Sequence, residues 1–296
     1  MKRLHFILLL FIATNLAAQD YVDLIKNHYA ISPSNNFDSI AGNTDVVEYG
    51  TDITLPIVLK NKNVFVTGVA AEHIQLKLHP LSNTTNLYSL GLKLGYQANH
   101  SEKVSGTYIL LPKMASDFKN TGSKDFQLGA LALYKIKKSE LFKYHAGLYY
   151  NSELFGPFVV PLLGFYYQSE NKKLEANFTL PIWADINYSL TDWMNIGANF
   201  SANVRSYNLS NSNSYVVKKS NDVFSYLQFN IKKSFILQTK VGYSIGRSYT
   251  AYADDDKTDF GLSAFRFGDD RTELNPTFKD GVIFRVRLLY RFHIKE

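Results

Sequence analysis

Between residues 174 and 207 the sequence alternates with a period of two, and this constrains the fold more than any other feature. Even positions carry Leu174, Ala176, Phe178, Leu180, Ile182, Ala184, Ile186, Tyr188 and Leu190, then Met194, Ile196, Ala198, Phe200, Ala202 and Val204. The odd positions between them are a polar set with two aromatic exceptions, Trp183 and Tyr207. Successive strand side chains point to opposite faces, so the pattern predicts a pair of strands, 174–190 and 194–207, with one apolar and one polar face.

Apolar residues of two paired strands share a face when directly opposed positions sum to an even number. Pairing Leu190 with Met194 meets that condition and leaves Thr191, Asp192 and Trp193 as a three-residue loop. The same rule holds further on, where Val223, Leu227, Phe229 and Ile231 face Phe235, Leu237, Val241, Tyr243 and Ile245 across Lys232, Lys233 and Ser234.

A soluble sandwich would also alternate, with its apolar faces turned inward. Here the polar face is rich in Asn, Ser and Gly and poor in Lys and Glu, and the strands reach the roughly 9 to 11 residues a tilted strand needs to cross a bilayer. Lipid outside and water or polar packing inside is the expectation. Composition agrees, because 20 Tyr and 21 Phe coexist with a slightly negative mean hydropathy, as when only half of each strand meets lipid and aromatics gather at the interfaces.

Residues 1–19 read as a secretory signal peptide: Lys2 and Arg3, an apolar run from Phe6 to Ala13, then Ala17 and Ala18, with removal expected near Ala18 or Gln19. Beyond it no apolar run approaches the length of a spanning helix. The absence of cysteine excludes disulfides, thiolate chemistry and a lipid anchor on an N-terminal cysteine. The formal charge of +6 comes largely from lysines in short turns, such as Lys137, Lys138, Lys172, Lys173, Lys232 and Lys233, rather than from a basic surface interleaved with exposed aromatics. Nucleic acid is therefore not an expected partner; outer-membrane lipids, lipopolysaccharide and the barrel-assembly machinery are.

Residues 20–44 are polar and irregular and read as a periplasmic lead-in, with a short helix over 21–28. Residues 45–296 read as one all-β domain, a transmembrane antiparallel up-and-down β-barrel of about 12 strands, with 10 to 14 tolerated. The turn near Asn171 and Lys172 is as tight as those near Thr191 and Lys232; if all three share the periplasmic side, the run from Leu174 to Leu190 must break at Pro181. Pro157 and Pro161 disfavour a regular central strand near 155–161, and 258–267 reads as a strand or part of a loop. The close, with Val282, Phe284, Val286, Leu288, Tyr290 and Phe292 alternating against Ile283, Arg285, Arg287, Leu289 and Arg291, has the form of a barrel's last strand.

The segments Phe155-Gly156-Pro157-Phe158, Pro161-Leu162-Leu163-Gly164, Gly246-Arg247-Ser248-Tyr249, Phe267-Gly268-Asp269-Asp270-Arg271 and Tyr290-Arg291-Phe292 resemble those of a family of outer-membrane β-barrel proteins of unknown function common in Bacteroidetes. The likeness covers most of the mature chain. It implies a barrel fold and an outer-membrane location in a Gram-negative bacterium, and it brings no catalytic residues.

Chemistry is sparse in the sequence. No H-x-x-x-H pair, G-x-S-x-G elbow or phosphate-binding Gly loop is present. A lipid hydrolase would need a Ser and a His meeting on one face; His145 and Ser152 are the nearest candidates, and their spacing does not favour it. Asp254, Asp255, Asp256, Asp259, Asp269 and Asp270 form an acidic stretch that could hold calcium, although solvation or pairing with Arg247, Arg266 and Arg271 is the stronger expectation. No enzyme activity, cofactor or metal is expected. The most specific functional hint is the inferred lumen, where Lys93, Arg205, Lys240, Arg285, Arg287 and Arg291 face inward against Glu175 and Asp185. Basic rings favour anions in a pore, whereas inward Arg paired with inward carboxylate plugs a small barrel. Three functions follow in order: a small-solute channel or transporter, a closed structural or binding barrel, and a membrane lipid enzyme.

Overall fold

The computed structural model describes residues 21–293, so the signal-peptide reading lies outside the described residues. The first thirteen strands run in sequence: β1 (Tyr21–Asn36), β2 (Asn43–Val58), β3 (Val64–Leu76), β4 (Thr85–Asn99), β5 (Val104–Ser116), β6 (Phe126–Lys137), β7 (Phe142–Glu153), β8 (Gly156–Gln168), β9 (Leu174–Leu180), β10 (Trp183–Ser189), β11 (Met194–Leu209), β12 (Ser214–Asn230) and β13 (Phe235–Ala253). A hairpin of two three-residue strands follows, β14 (Phe260–Leu262) and β15 (Phe265–Phe267), and β16 (Gly281–His293) completes the chain. Each of β1 to β13 pairs antiparallel with its neighbours in sequence, β13 pairs with β16, and β16 pairs with β1. The ring is thus a closed antiparallel barrel of 14 strands, the upper end of the expected range.

Two strands were hidden in the sequence. The segment 20–44 is not a periplasmic lead-in, and 21–28 is not a helix: Tyr21–Asn36 is β1, which closes the barrel against β16. A register shift between Asp23 and Ile25 places two residues opposite one, so Asp23 and Lys26 both face inward and the period of two is lost where it would have identified the strand. The run 174–190 is two strands, β9 and β10, folded back on each other between Leu180 and Trp183. Pairing Ala184 with Phe178 and Ile186 with Ala176 keeps the even positions on one face through the fold, so alternation did not register the turn. The two hairpins fixed by the even-sum rule have the expected registers, Ser189 opposite Asn195 and Asn230 opposite Ile236.

Pro157 and Pro161 are accommodated in β8 for an edge reason. The Val159 carbonyl accepts from Ser263 N, on the side away from β7, so odd-numbered backbone groups of this half of β8 point away from β7. Because β9 pairs with β8 only from Leu163 onward, the missing proline N–H groups fall where no ladder partner is lost.

The faces are inverted relative to a soluble sandwich. On β4 the outward row is Tyr88, Leu90, Leu92, Leu94 and Tyr96, with Leu90 50% and Leu92 48% exposed, while inward Asn199, Asp222, Gln228, Gln238 and Lys240 elsewhere in the barrel are buried. Outside β1 to β4 the rings of Tyr29, Tyr49, His73, Tyr88 and Phe118 lie in successive contact, and lower on the wall Tyr96, Tyr108, Tyr134, Tyr144, Tyr167, Tyr188 and Trp193 form a second belt. Tyr88 and Tyr96 are eight residues apart, about 27 Å of strand or about 20 Å once tilted by roughly 40°. An apolar band of that height between aromatic girdles is the outer surface of a membrane-spanning barrel.

The short turns around Lys62, Ser101, Ser139, Lys172, Asp192 and Lys233 share one end with Tyr21 and His293, here the terminus end. The connections 37–42, 77–84, 117–125, 210–213 and 254–280 lie at the opposite, loop end.

Candidate functional site: a plugged lumen with a basic vestibule

At the loop end the wall does not stay round. Strand β10 pairs with β11 only as far as Trp183 opposite Ser201, and β8 pairs with β9 only from Leu163 opposite Leu180. Beyond that level β11 leaves the wall and crosses the lumen. Asn208 bridges Ser116 of β5, six strands away around the ring, and the Asp117 amide donates to the Asn208 carbonyl at 2.9 Å. Ser206 donates from N and Oγ to Glu153 Oε2 at 2.7 and 2.6 Å, and Gln127 Nε2 donates to the Ser206 carbonyl.

Strand β12 follows it. The face of β12 that carries exposed Val223 and Leu227 lower down carries Tyr215 and Val217 at the loop end, each 1% exposed. These two pack, with Tyr252, on Phe158, Val160 and Leu162 from the inner face of β8. The outer face of the β11–β13 tip is therefore folded inside the barrel. The bend is built at Gly246, whose φ of +62° suits glycine; the freed amides of Gly246 and Arg247 donate to the two Asp280 carboxylate oxygens at 3.0 and 2.9 Å.

Several of the sequence segments singled out above meet at this tip. Arg271 donates bidentately to Asp269 at 2.7 and 3.0 Å and lies over the rings of Tyr252 and Phe155. The Arg271 hydrogen bonds hold the Asp269 carboxyl below the usual carboxylate range. Arg266 covers Phe155 and Phe158, and β14 runs parallel to β8 at Phe158 and Val159. Gly268, at φ +62°, has no room for a side chain, since a Cβ would lie 2.3 Å from Asp259 Oδ2. The acidic stretch is used in the same docking: Asp254 pairs with Lys124, and Asp256 accepts from the Thr272 amide at 2.7 Å. Among the described residues no group of three or more His, Asp and Glu could hold a metal ion.

Beneath the tip lies a layer of charge. Lys218 Nζ sits 2.7 Å from Glu48 and 3.1 Å from Glu72, Arg205 is 2.5 Å from the other Glu72 oxygen, and Arg285 is 3.5 Å from Glu48 and 3.7 Å from Asp222. Tyr249 and Tyr207 donate to Glu48 and Glu72, and Ser244 to Asp222. Three cations face three carboxylates, so the layer is neutral. Within it a void of about 10 Å³ beside Glu48, Ser220, Asp222 and Arg247 has room for a single water.

Of the residues expected in the lumen, most are neutralised or hydrogen-bonded by other side chains. Lys93 pairs with Asp52 at 2.6 Å, Arg291 with Asp23 at 2.7 Å, Glu175 accepts from Tyr21 and Asp185 from Tyr226. Lys240 donates to Asn199 and covers the Tyr226 ring. Arg287 is the exception, with no hydrogen bond or ion pair found among the described residues. Glu48, Glu72, Asp222 and Lys218, central to the layer, were not among the expected lumen residues. His145 and Ser152 are seven positions apart on β7 and so on opposite faces; Ser152 Oγ accepts from the Leu128 amide, and His145 Nδ1 lies 3.3 Å from Thr179 Oγ1. They form no dyad.

At the terminus end the lumen stays open as a vestibule of about 310 Å³, and none of its lining residues belongs to the charged layer. Its wall includes Thr54, Gln97, Asn99, four lysines (Lys103, Lys135, Lys137, Lys143) and one acid, Glu102.

The model of a domain of unknown function, DUF6268, matches residues 17–288. The chain belongs to that family. Among solved structures this DUF6268 chain is similar to an outer membrane channel from Pseudomonas putida F1, at 8% identity over 95% of this chain and 97% of that one, with a TM-score of 0.46. It is also similar to the NanC porin, at 8% identity, 90% and 98% coverage and a TM-score of 0.35, and to a deletion mutant of the TodX monoaromatic hydrocarbon channel, at 9% identity, 92% and 91% coverage and a TM-score of 0.35. No curated protein matches the sequence.

Proposed function

We propose that this protein is an integral barrel of the Gram-negative outer membrane, exported by a cleaved signal peptide, and that it is a gated channel or transporter for small solutes rather than an enzyme. Lipid, lipopolysaccharide and the assembly machinery are its proposed neighbours. One observation carries the reading: the lumen is crossed by a neutral layer of ion pairs between strands, Lys218 with Glu48 and Glu72 and Arg285 with Asp222, rather than by a continuous apolar fill. Such pairs can exchange partners, so the layer can part and re-form without breaking the wall.

A second reading, a closed structural barrel, is favoured by the folded-in tip, where Tyr215 and Val217 are buried against β8. Planar-bilayer conductance separates the two. The channel reading expects rare openings in the purified protein and frequent ones in Arg205→Ala/Arg285→Ala, which removes two of the layer's three cations. Silence from both proteins, each shown to be folded by heat-modifiable gel mobility, refutes it and leaves the closed barrel.

A further inference from the structure

We infer that the vestibule is a binding site for a small multiply charged anion bearing carboxylate or phosphate groups, and that Lys135, with Lys143 beside it, is the residue that recognises it. Lys137 lies directly opposite Lys143 across β6 and β7, and Lys135 directly opposite His145. Like charges placed opposite each other on neighbouring strands are destabilising. Lys137 has Glu140 at the turn as its partner. Lys135 is half-buried, faces the cavity, and among the described residues makes no hydrogen bond or ion pair.

That arrangement contrasts with the rest of the lumen. Elsewhere most inward cations have been given an acid: Lys93 has Asp52, Lys113 has Glu153, Lys218 has two glutamates and Arg291 has Asp23. A half-buried cation without a counter-charge costs stability; Arg287 is also unpaired among the described residues but does not line the cavity, so Lys135 is the half-buried bare cation there, holding a place for an anion brought from outside. The cavity, about 310 Å³, is at the lower limit of small-ligand sites, roughly 300–1,000 Å³. Asn99, Gln97 and Ser101 around it supply neutral donors, and Glu102 is the one acid among the lining residues. The site is enclosed by the wall, which selects a free solute over a headgroup still carrying its acyl chains. The inference holds whether or not the barrel conducts.

Calorimetric titration of the full chain in detergent at low ionic strength, with inorganic phosphate and separately with citrate as probes, tests it. The expected result is one saturable site for at least one probe, weakened at least tenfold in Lys135→Met and in Lys143→Gln, and unchanged in Lys60→Gln, a turn lysine outside the cavity. Lys135→Met should also resist urea unfolding at least as well as the parent, because it removes an uncompensated charge; should it not fold, Lys143→Gln carries the comparison alone. Absence of saturable binding for both probes, or equal affinity in the parent and the vestibule variants, overturns the inference.

Discussion

Lys218 decides whether the charged layer is dry. Its side chain is 4% exposed and lies within 3.1 Å of both Glu48 and Glu72. Replacing it with Met leaves three carboxylates against Arg205 and Arg285, one charge in excess. Removing one partner from a buried pair costs about 3–5 kcal/mol, which lowers the folded-to-unfolded ratio by roughly 10²- to 10⁴-fold. Lys218→Met/Glu48→Gln restores neutrality, because Glu72 keeps Arg205 and Asp222 keeps Arg285. The double variant should therefore recover most of the loss, and a double-mutant cycle should show coupling well above the roughly 0.5 kcal/mol scatter of independent sites. Urea unfolding from liposomes, read by gel mobility, measures all three variants. A loss below about 1 kcal/mol in Lys218→Met, the size of a solvated ion pair, would refute the closed layer and mean that water reaches it.

Three further outcomes follow from the geometry. Asp269 is held below the carboxylate range by Arg271, so its contribution is complete above the unfolded value of about 3.9 and is lost as pH falls through the lower folded value; cleavage of 254–280 by pepsin, normalised to an unfolded substrate at each pH, should rise more steeply below about pH 4 in the parent than in Asp269→Asn, and equal profiles would remove this pair from loop docking. Gly246→Ala meets no steric contact closer than 3.8 Å but must adopt φ +62°, so unfolding should show a loss of about 1–2 kcal/mol that is smaller in Gly246→Asn. Leu92→Arg, in the middle of the outward row of β4, should cost about 2–4 kcal/mol in a bilayer; a neutral result would mean that this row does not meet lipid.

Alternation is a local property of the pleat; it determined the registers of the hairpins at Thr191 and Lys232, and together with the Asn-, Ser- and Gly-rich polar face and the strand lengths it determined the barrel class. It failed where the backbone departs from the pleat or turns without changing parity: the bulge between Asp23 and Ile25 concealed β1, and the fold at Pro181 preserved the pattern of the two strands it separates. Which charges neutralise each other could be decided only by closure. Lys218 meets Glu48 and Glu72 across 170 and 146 residues, on strands that come together only once the ring forms and β11 crosses it. The tip that folds inward likewise places the outer face of β12 against the inner face of β8, reversing for Tyr215 and Val217 the inside and outside that their sequence positions imply. Side-chain parity is written along one strand, whereas the partner of a buried charge depends on the cross-section of the whole barrel.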